Sequence, residues 1–296
     1  MNVNWRNLEL PESFGAERNI PLSELTSFRV GGPARVVLHP RSYEAIAEIV
    51  SLAKQYGVPL ALLGRGTNVL ASDRGYDGWI IRFDTPLHEP VCHGTSVTVC
   101  CGTSMTSLAR ETVRKGLSGM ECLCGIPGAV GGACAMNAGA YGGEIRQILK
   151  RIRILKDGRD EWIDVKDGDL GYRRSVFSFP DAIALEAAFE LKEDDGTAAE
   201  TMLRCMEKRK EKQPLDVPSA GSTFKRPEGY FAGALIEQCG LKGFSIGGAQ
   251  VSPKHAGFIV NANRATEADI SALIEHVRRV VKEQTGVTLE PEVKRI

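Results

Sequence analysis

Apolar and polar positions along the chain follow two periods, and the switches between them predict the elements. Residues 34–38 form a short apolar run with strand character. From 42 to 56 the period lengthens, with Ile46, Ile49, Val50 and Ala53 on one helical face, Ser42 placed as N-cap and Gly57 as the stop. A buried strand over 58–63 then runs into a glycine turn, and 79–83 reads as a further strand. Strand character returns at 97–101, and Ser104 opens a helix to about 115. Between 119 and 143 eight of 25 residues are glycine, which excludes one long regular element there. Strands are expected near 152–155, 161–165 and 183–190, followed by a charged helix over 197–212 that Pro214 and Pro218 end. Beyond them come a helix over 231–239 stopped by Gly240 and a strand at 258–261. Thr266 with Asp269 forms a capping-box pair opening a helix whose core face carries Ile270, Leu273, Ile274, Val277, Val280 and Val281.

This mixture of strands and helices is α+β. A chain of 296 residues has room for two or three domains of the usual size, and Pro214 marks the best boundary. With 43% hydrophobic and 25% charged residues, disorder and coiled coil are poor readings. Thirty-seven basic residues balance thirty-seven acidic ones, which argues against a dedicated nucleic-acid partner or a polybasic membrane surface. No apolar run reaches the ~20 residues a bilayer span needs, and the first residues lack a signal-peptide pattern, so a cytoplasmic protein without membrane insertion is expected. The eight cysteines form no CxxC pair and no zinc-finger spacing, so reduced thiols and no metal are expected. Cys122 and Cys124 border the glycine-rich stretch, but nothing near them would obviously lower a thiol pKa.

Five constellations could carry chemistry. Gly64, Arg65, Gly66, Thr67 and Asn68 follow a buried strand, where converging backbone N–H groups could cradle an anion; a tight turn explains the same residues. Gly125, Ile126, Pro127, Gly128, Ala129, Val130, Gly131 and Gly132, with Asn137, Ala138, Gly139 and Ala140 after them, allow close backbone approach to a flat or phosphorylated ligand, or a tight packing segment. Together the two loops suggest a dinucleotide cradle. In Gly171-Tyr172-Arg173-Arg174-Ser175 an arginine beside an aromatic could fork onto a carboxylate, or end a strand in solvent. Ser222 presents a hydroxyl near Lys225 and Arg226 without the elbow or His/Asp set of a serine hydrolase. Glu292 lies in a strand-like apolar stretch near the last residue of the sequence, where burial is open.

The order and spelling of these segments carry a resemblance. Thr26-Ser-Phe-Arg-Val-Gly-Gly-Pro33, GRGTNVL at 64–70, GIPGAVGG at 125–132, Asn137-Ala-Gly-Ala140, GYRRSVF at 171–177, GSTFKRP at 221–227 and LEPEV at 289–293 resemble the UDP-N-acetylenolpyruvoylglucosamine reductase family, collinearly from about residue 20 onward. The resemblance implies an FAD-binding fold of the vanillyl-alcohol-oxidase/p-cresol methylhydroxylase type in two subdomains, 1–84 and 85–213, and a C-terminal α+β substrate-binding domain over 214–296. It implies non-covalent FAD, NADPH as hydride donor, a nucleotide-sugar substrate and a place in peptidoglycan precursor synthesis, with no obligate protein partner. It puts Arg173, Ser222 and Glu292 in the catalytic positions, the loops above around FAD, and Tyr172, Lys225 and Arg226 near substrate. Between Ser175 and Pro214 there is no room for the tyrosine-bearing insertion of the family's longer form, so the shorter subtype is implied.

Two rivals stand beside this reading. One is a sugar or alcohol oxidase on the same scaffold with covalently attached flavin, for which Cys122, Cys124 and Cys134 are the candidates because neither loop holds a histidine. The other is a nucleotide-sugar binding protein that uses the glycine loops without redox chemistry.

Overall fold

The computed structural model of the protein describes residues 5–296. The chain folds into two compact units, each drawn from three stretches of sequence. The first comprises the described residues up to Arg18, Val36–Arg65 and Asp77–Glu207; the second comprises Asn19–Arg35, Gly66–Tyr76 and Lys208–Ile296.

Local chemistry sets the elements of the first unit. The helix Tyr43–Tyr56 starts because the Ser42 hydroxyl accepts the Ala45 N–H, and stops at Gly57, whose left-handed backbone closes onto the Ala53 and Lys54 carbonyls. Ser104 caps the helix Met105–Arg114 through the Ser107 N–H in the same way. The strand Leu60–Leu63 pairs in parallel with residues 79–82, Leu60 opposite Trp79. A five-stranded antiparallel sheet runs Arg159–Asp164, Leu149–Lys156, Ile183–Glu190, Ser96–Cys100, Val91–His93. Its inward residues Val97, Val99, Ile152, Leu185, Ala187 and Phe189 are fully buried or nearly so, each large one contributing about 1.5–3 kcal/mol. The stretch 119–143 holds only a 3₁₀ turn at Glu121–Leu123, the short helix Val130–Ala135 and the two-residue strands Gly139–Ala140 and Gly143–Glu144. Between Ser175 and Pro214 the chain is occupied by Ile183–Glu190, Lys192–Glu193 and the helix Ala198–Lys212.

The second unit packs Phe28, Val30 and Leu70 with Ile236, Val251, Ile259, Leu273, Val277 and Leu289 in one core. Sequence periodicity locates its helices closely, Ala232–Gln238 and Glu267–Thr285, but misses the strands Ser245–Ile246 and Ala249–Val251, which pair with Ile259–Asn261. The capping box is complete: Thr266 Oγ1 accepts the Asp269 N–H at 3.1 Å and Asp269 Oδ2 accepts the Thr266 N–H at 3.0 Å. Two N-terminal segments belong to this unit, a placement that composition does not signal. Lys294–Arg295 pairs in parallel with Val69–Leu70, and Asp73 accepts the N–H groups of Glu267 and Ala268 at 2.9 and 3.3 Å. A carboxylate there also meets the positive end of the helix dipole.

Asp73→Ala leaves those two N–H groups without their acceptor. The expected cost is about 1 kcal/mol, typical of a helix cap, read as a lower urea midpoint at unchanged m-value.

Candidate active site

In the first unit the two glycine-rich turns lie side by side. A Cβ built on Gly64, at the end of the strand Leu60–Leu63, would sit 3.4 Å from that of Ala129. The 125–132 loop is tied down from beneath: the Gly128 carbonyl accepts the Met105 N–H at 3.0 Å, Val130 N–H donates to Thr103 at 2.9 Å, and Gly131 N–H donates to Cys101 at 2.8 Å. Thr106 Oγ1 donates to the Ile126 carbonyl at 3.1 Å. The Val130 and Gly131 N–H groups, expected to face a ligand, are therefore spent inside the protein. Gly131 itself is needed for packing, since a Cβ would come 3.1 Å from that of Cys101. Gly132 differs. It is exposed, and a Cβ there would meet nothing within 4 Å. Pro127 and Arg65 are exposed as well, whereas Gly125, Ala129 and Val130 are buried.

Asn137 sits in the left-handed region at φ 41° and is 1% exposed. Its amide is committed: Nδ2 donates to the Gly171 carbonyl at 3.0 Å and to Glu144 Oε2 at 3.3 Å, and Oδ1 accepts the Arg146 N–H at 2.9 Å. Expected as a cofactor contact, its side chain is instead a strut between the 137–140 segment and the hairpin Leu170–Gly171/Arg174–Ser175. Ala138, Gly139 and Ala140, half-buried, remain available along that segment. At the hairpin tip Tyr172 is 47% exposed, and Arg173 adopts φ 54°. A left-handed backbone costs a non-glycine residue on the order of 1–3 kcal/mol. The guanidinium of Arg173 lies 5.0 Å from the Tyr172 ring, Nη2 donates to the Gly139 carbonyl at 3.4 Å, and Nε is buried. Arg173 and the 137–140 segment thus form one cluster.

In the second unit Gly66 has φ 64°, and a Cβ would lie 2.1 Å from the Leu25 carbonyl oxygen, so this glycine is demanded by its own neighbours. Thr67 is half-buried. Asn68 Nδ2 donates to the Glu292 carbonyl at 3.3 Å, and the Asn68 carbonyl accepts the Lys294 N–H at 3.0 Å. Its amide, expected to reach an anion, steadies the chain at Glu292 instead.

Ser222 is exposed, and follows Gly221 at φ 77°. The next residue, Thr223, is fully buried. Segment 223–225 pairs with 290–292: Glu292 N–H donates to the Thr223 carbonyl and Lys225 N–H to the Glu290 carbonyl, both at 2.8 Å, with Phe224 bridging to Pro291. The segments carrying Ser222 and half-buried Glu292 are brought side by side in this way. Lys225 is ion-paired with Glu290, which offsets its charge, and Arg226 lies 3.9 Å over the Phe231 ring. Neither pairing shows in local sequence, because each partner is read as an isolated residue.

All eight cysteines are thiols. Burial pushes Cys134 up to about 12 and Cys122 up to about 11, the latter helped by neighbouring Cys205, so neither supplies a ready thiolate. Among the described residues no group of three His, Cys, Asp or Glu could hold a metal ion, and no helix is long and apolar enough to cross a membrane.

Comparison with known proteins places these segments. Residues 34–164 match an FAD binding domain, and residues 213–296 match the C-terminal domain of UDP-N-acetylenolpyruvoylglucosamine reductase. The chain is 42% identical to the UDP-N-acetylenolpyruvoylglucosamine reductase of Lachnoclostridium phytofermentans, covering 97% of this chain and 96% of that one. It is 43% identical to the reductase of that name from Geobacillus kaustophilus, over 94% and 93% of the two chains. The crystal structure of UDP-N-acetylenolpyruvylglucosamine reductase from Thermus caldophilus superposes with a TM-score of 0.81 at 33% identity, covering 95% of this chain and 98% of the other. The α+β expectation and the FAD-binding fold are borne out. The open backbone at Gly132 fits such a cofactor: it leaves unfilled the space a side chain would take.

Gly131→Val and Gly132→Val separate packing from binding. Gly131→Val should lower the melting temperature through the Cys101 contact, whereas Gly132→Val should keep the fold and lose flavin. The ratio of flavin to protein absorbance, set against the melting temperature of each variant, checks both.

Proposed function

The chain belongs to the UDP-N-acetylenolpyruvoylglucosamine reductase family, and we propose that it reduces the enolpyruvyl ether of UDP-N-acetylglucosamine-enolpyruvate to UDP-N-acetylmuramate, with NADPH as hydride donor, in the cytoplasmic synthesis of peptidoglycan precursors. Subdomains 1–84 and 85–213 would hold FAD and 214–296 the nucleotide sugar, in the shorter subtype of the family. The observation that carries the reading is the pairing of 223–225 with 290–292, which sets the segments bearing Ser222 and Glu292 side by side.

Bound FAD supplies a two-electron hydride relay between nicotinamide and substrate. The residues that would hold it are the backbones of 64–68 and 125–132 with Ala138, Gly139 and Ala140; Asn137 serves them from behind. Hydride addition to the vinyl carbon drives charge toward the substrate carboxylate, so the transition state is enediolate-like. Arg173 stabilises that charge with a planar two-pronged donor, held at the tip of its hairpin in a left-handed backbone conformation. Glu292 would carry or share a proton at that moment, since an ionised carboxylate would be repelled by the substrate's own. Ser222 gives a proton to the adjacent carbon. Serine is a weak acid, but the acceptor is strongly basic, and Arg226 and Tyr172 complete the polar surroundings on their respective units.

An oxidase with covalent flavin would need a reactive thiol, and the raised pKa values of Cys122 and Cys134 speak against one. The colour of acid-precipitated protein decides it: yellow supernatant supports the reductase reading. Bleaching of the flavin by NADPH excludes the pure binding protein.

Arg173→Lys keeps the charge and loses the fork, so the oxidative half-reaction should slow by about 10²–10³-fold while reduction by NADPH is spared. Stopped-flow absorbance follows the halves separately, and equal slowing would assign Arg173 elsewhere.

Ser222→Ala should likewise leave flavin binding and reduction intact but cut reoxidation by substrate at least ~10²-fold, with Ser222→Cys recovering part of the rate. An alanine variant that reoxidises as fast as the parent removes Ser222 from the mechanism.

A further inference from the structure

We propose that His255 is a positioning residue for the reduction, holding in register the two paired segments that carry Ser222 and Glu292. The inference rests on the assignment of those two residues given above. His255 Nδ1 accepts the Gly257 N–H at 3.1 Å. The Gly257 carbonyl accepts the Thr223 N–H at 2.8 Å, and the Thr223 carbonyl accepts the Glu292 N–H at 2.8 Å. Three hydrogen bonds in series therefore join the imidazole to the residue after Ser222 and to Glu292 itself. The hydroxyl of Thr223 secures the middle of the chain by accepting the Ile259 N–H at 3.0 Å.

The ring is seated for this task. The Phe258 ring stands edge-on to it at 5.0 Å. Gly233 and Gly257 supply the remaining space: side-chain carbons there would come within 3.3 and 3.0 Å of His255 Cε1. The backbone on either side is closed as well, with His255 N–H donating to the buried Ser252 hydroxyl at 3.2 Å and Phe258 N–H donating to the His255 carbonyl at 2.9 Å. An accepting Nδ1 requires a neutral ring with its proton on Nε2; a protonated ring would present N–H to N–H. Burial lowers the imidazole pKa below its ordinary 6.5 and outweighs a backbone hydrogen bond that raises it; Lys242 and Lys212 act with burial, and Glu237 opposes them. A lowered pKa in the folded state means that the neutral form, and the chain it holds, persists above about 6.5 and is lost as pH falls through the folded value.

Asparagine offers a discriminating replacement. Its Oδ1 stands the same number of bonds from the backbone as histidine Nδ1, accepts a hydrogen bond, and does not titrate. Phenylalanine fills the ring volume and accepts nothing. With the flavin-loaded protein, reduction by NADPH and reoxidation by UDP-N-acetylglucosamine-enolpyruvate are timed from pH 5.5 to 8.5 for the parent, His255→Asn and His255→Phe, with Ser222→Ala and Glu292→Gln as references. His255→Phe should slow reoxidation by about 10-fold or more, since a misplacement of ~1 Å costs on the order of 10²-fold, and should leave reduction unchanged. His255→Asn should restore most of the rate and flatten the acid limb that the parent shows below about pH 6.5. His255→Phe reoxidising at the parent rate overturns the inference, as does His255→Asn slowed equally with its acid limb intact. Ser222→Ala and Glu292→Gln both reoxidising normally would instead overturn the assignment on which it stands.

Discussion

Thr223 is the residue on which the second unit turns. It is fully buried, yet its N–H, its carbonyl and its hydroxyl each have a partner, respectively Gly257, Glu292 and the N–H of Ile259. An unmet buried group of this kind costs about 1–3 kcal/mol, so the three segments that meet there cannot drift independently. The segment carrying Glu292 is further held by Asn68, and Lys294 beyond it by the Asn68 carbonyl. One buried polar side chain gives the exposed serine beside it a rigid floor.

The first unit achieves the corresponding rigidity differently. Asn137, Tyr141 and Arg173 all adopt left-handed backbone, which side chains resist. Such conformations survive only where surroundings over-determine them. Here the Asn137 amide, bonded to Gly171, Glu144 and Arg146, supplies that constraint. The hairpin bearing the tip arginine is consequently braced by a neighbour whose amide is bonded within the protein. Charge placement follows the same economy elsewhere in the unit: buried Glu186 accepts from Arg153 at 2.6 Å and from His88 at 2.9 Å, so the five-stranded sheet carries no unmet carboxylate at that point.

Elements governed by neighbouring residues were legible in the sequence. Ser42, Ser104 and Thr266 cap their helices as their local pattern says, and the glycines and prolines stop elements where they should. Residues whose meaning depends on distant partners were not. Phe28, Val30 and Leu70 look like ordinary apolar residues of the N-terminal part, and only tertiary packing enrols them in the second core. Asn68 and Asn137 sit inside glycine-rich loops and so read as ligand donors, because a sequence does not disclose that a carbonyl far along the chain has claimed the amide. Val130 and Gly131 read as anion donors for the same reason. His255 carried no motif of its own; its spacing to Gly257 was visible, but not the path onward to Thr223.

These reassignments change what the proposed cofactor site depends on. Once the side chains of Asn68 and Asn137 and the N–H groups of Val130 and Gly131 are committed internally, few polar side chains of the two loops remain to grip a ligand. Recognition then rests on main-chain shape: the Gly64 turn against Ala129, the open face of Gly132 and the Gly139–Ala140 strand. Shape of this kind is set by the packing beneath it, by Cys101 against Gly131 and Thr103 against Val130. A buried residue such as Cys101 can therefore matter to cofactor affinity without approaching the cofactor.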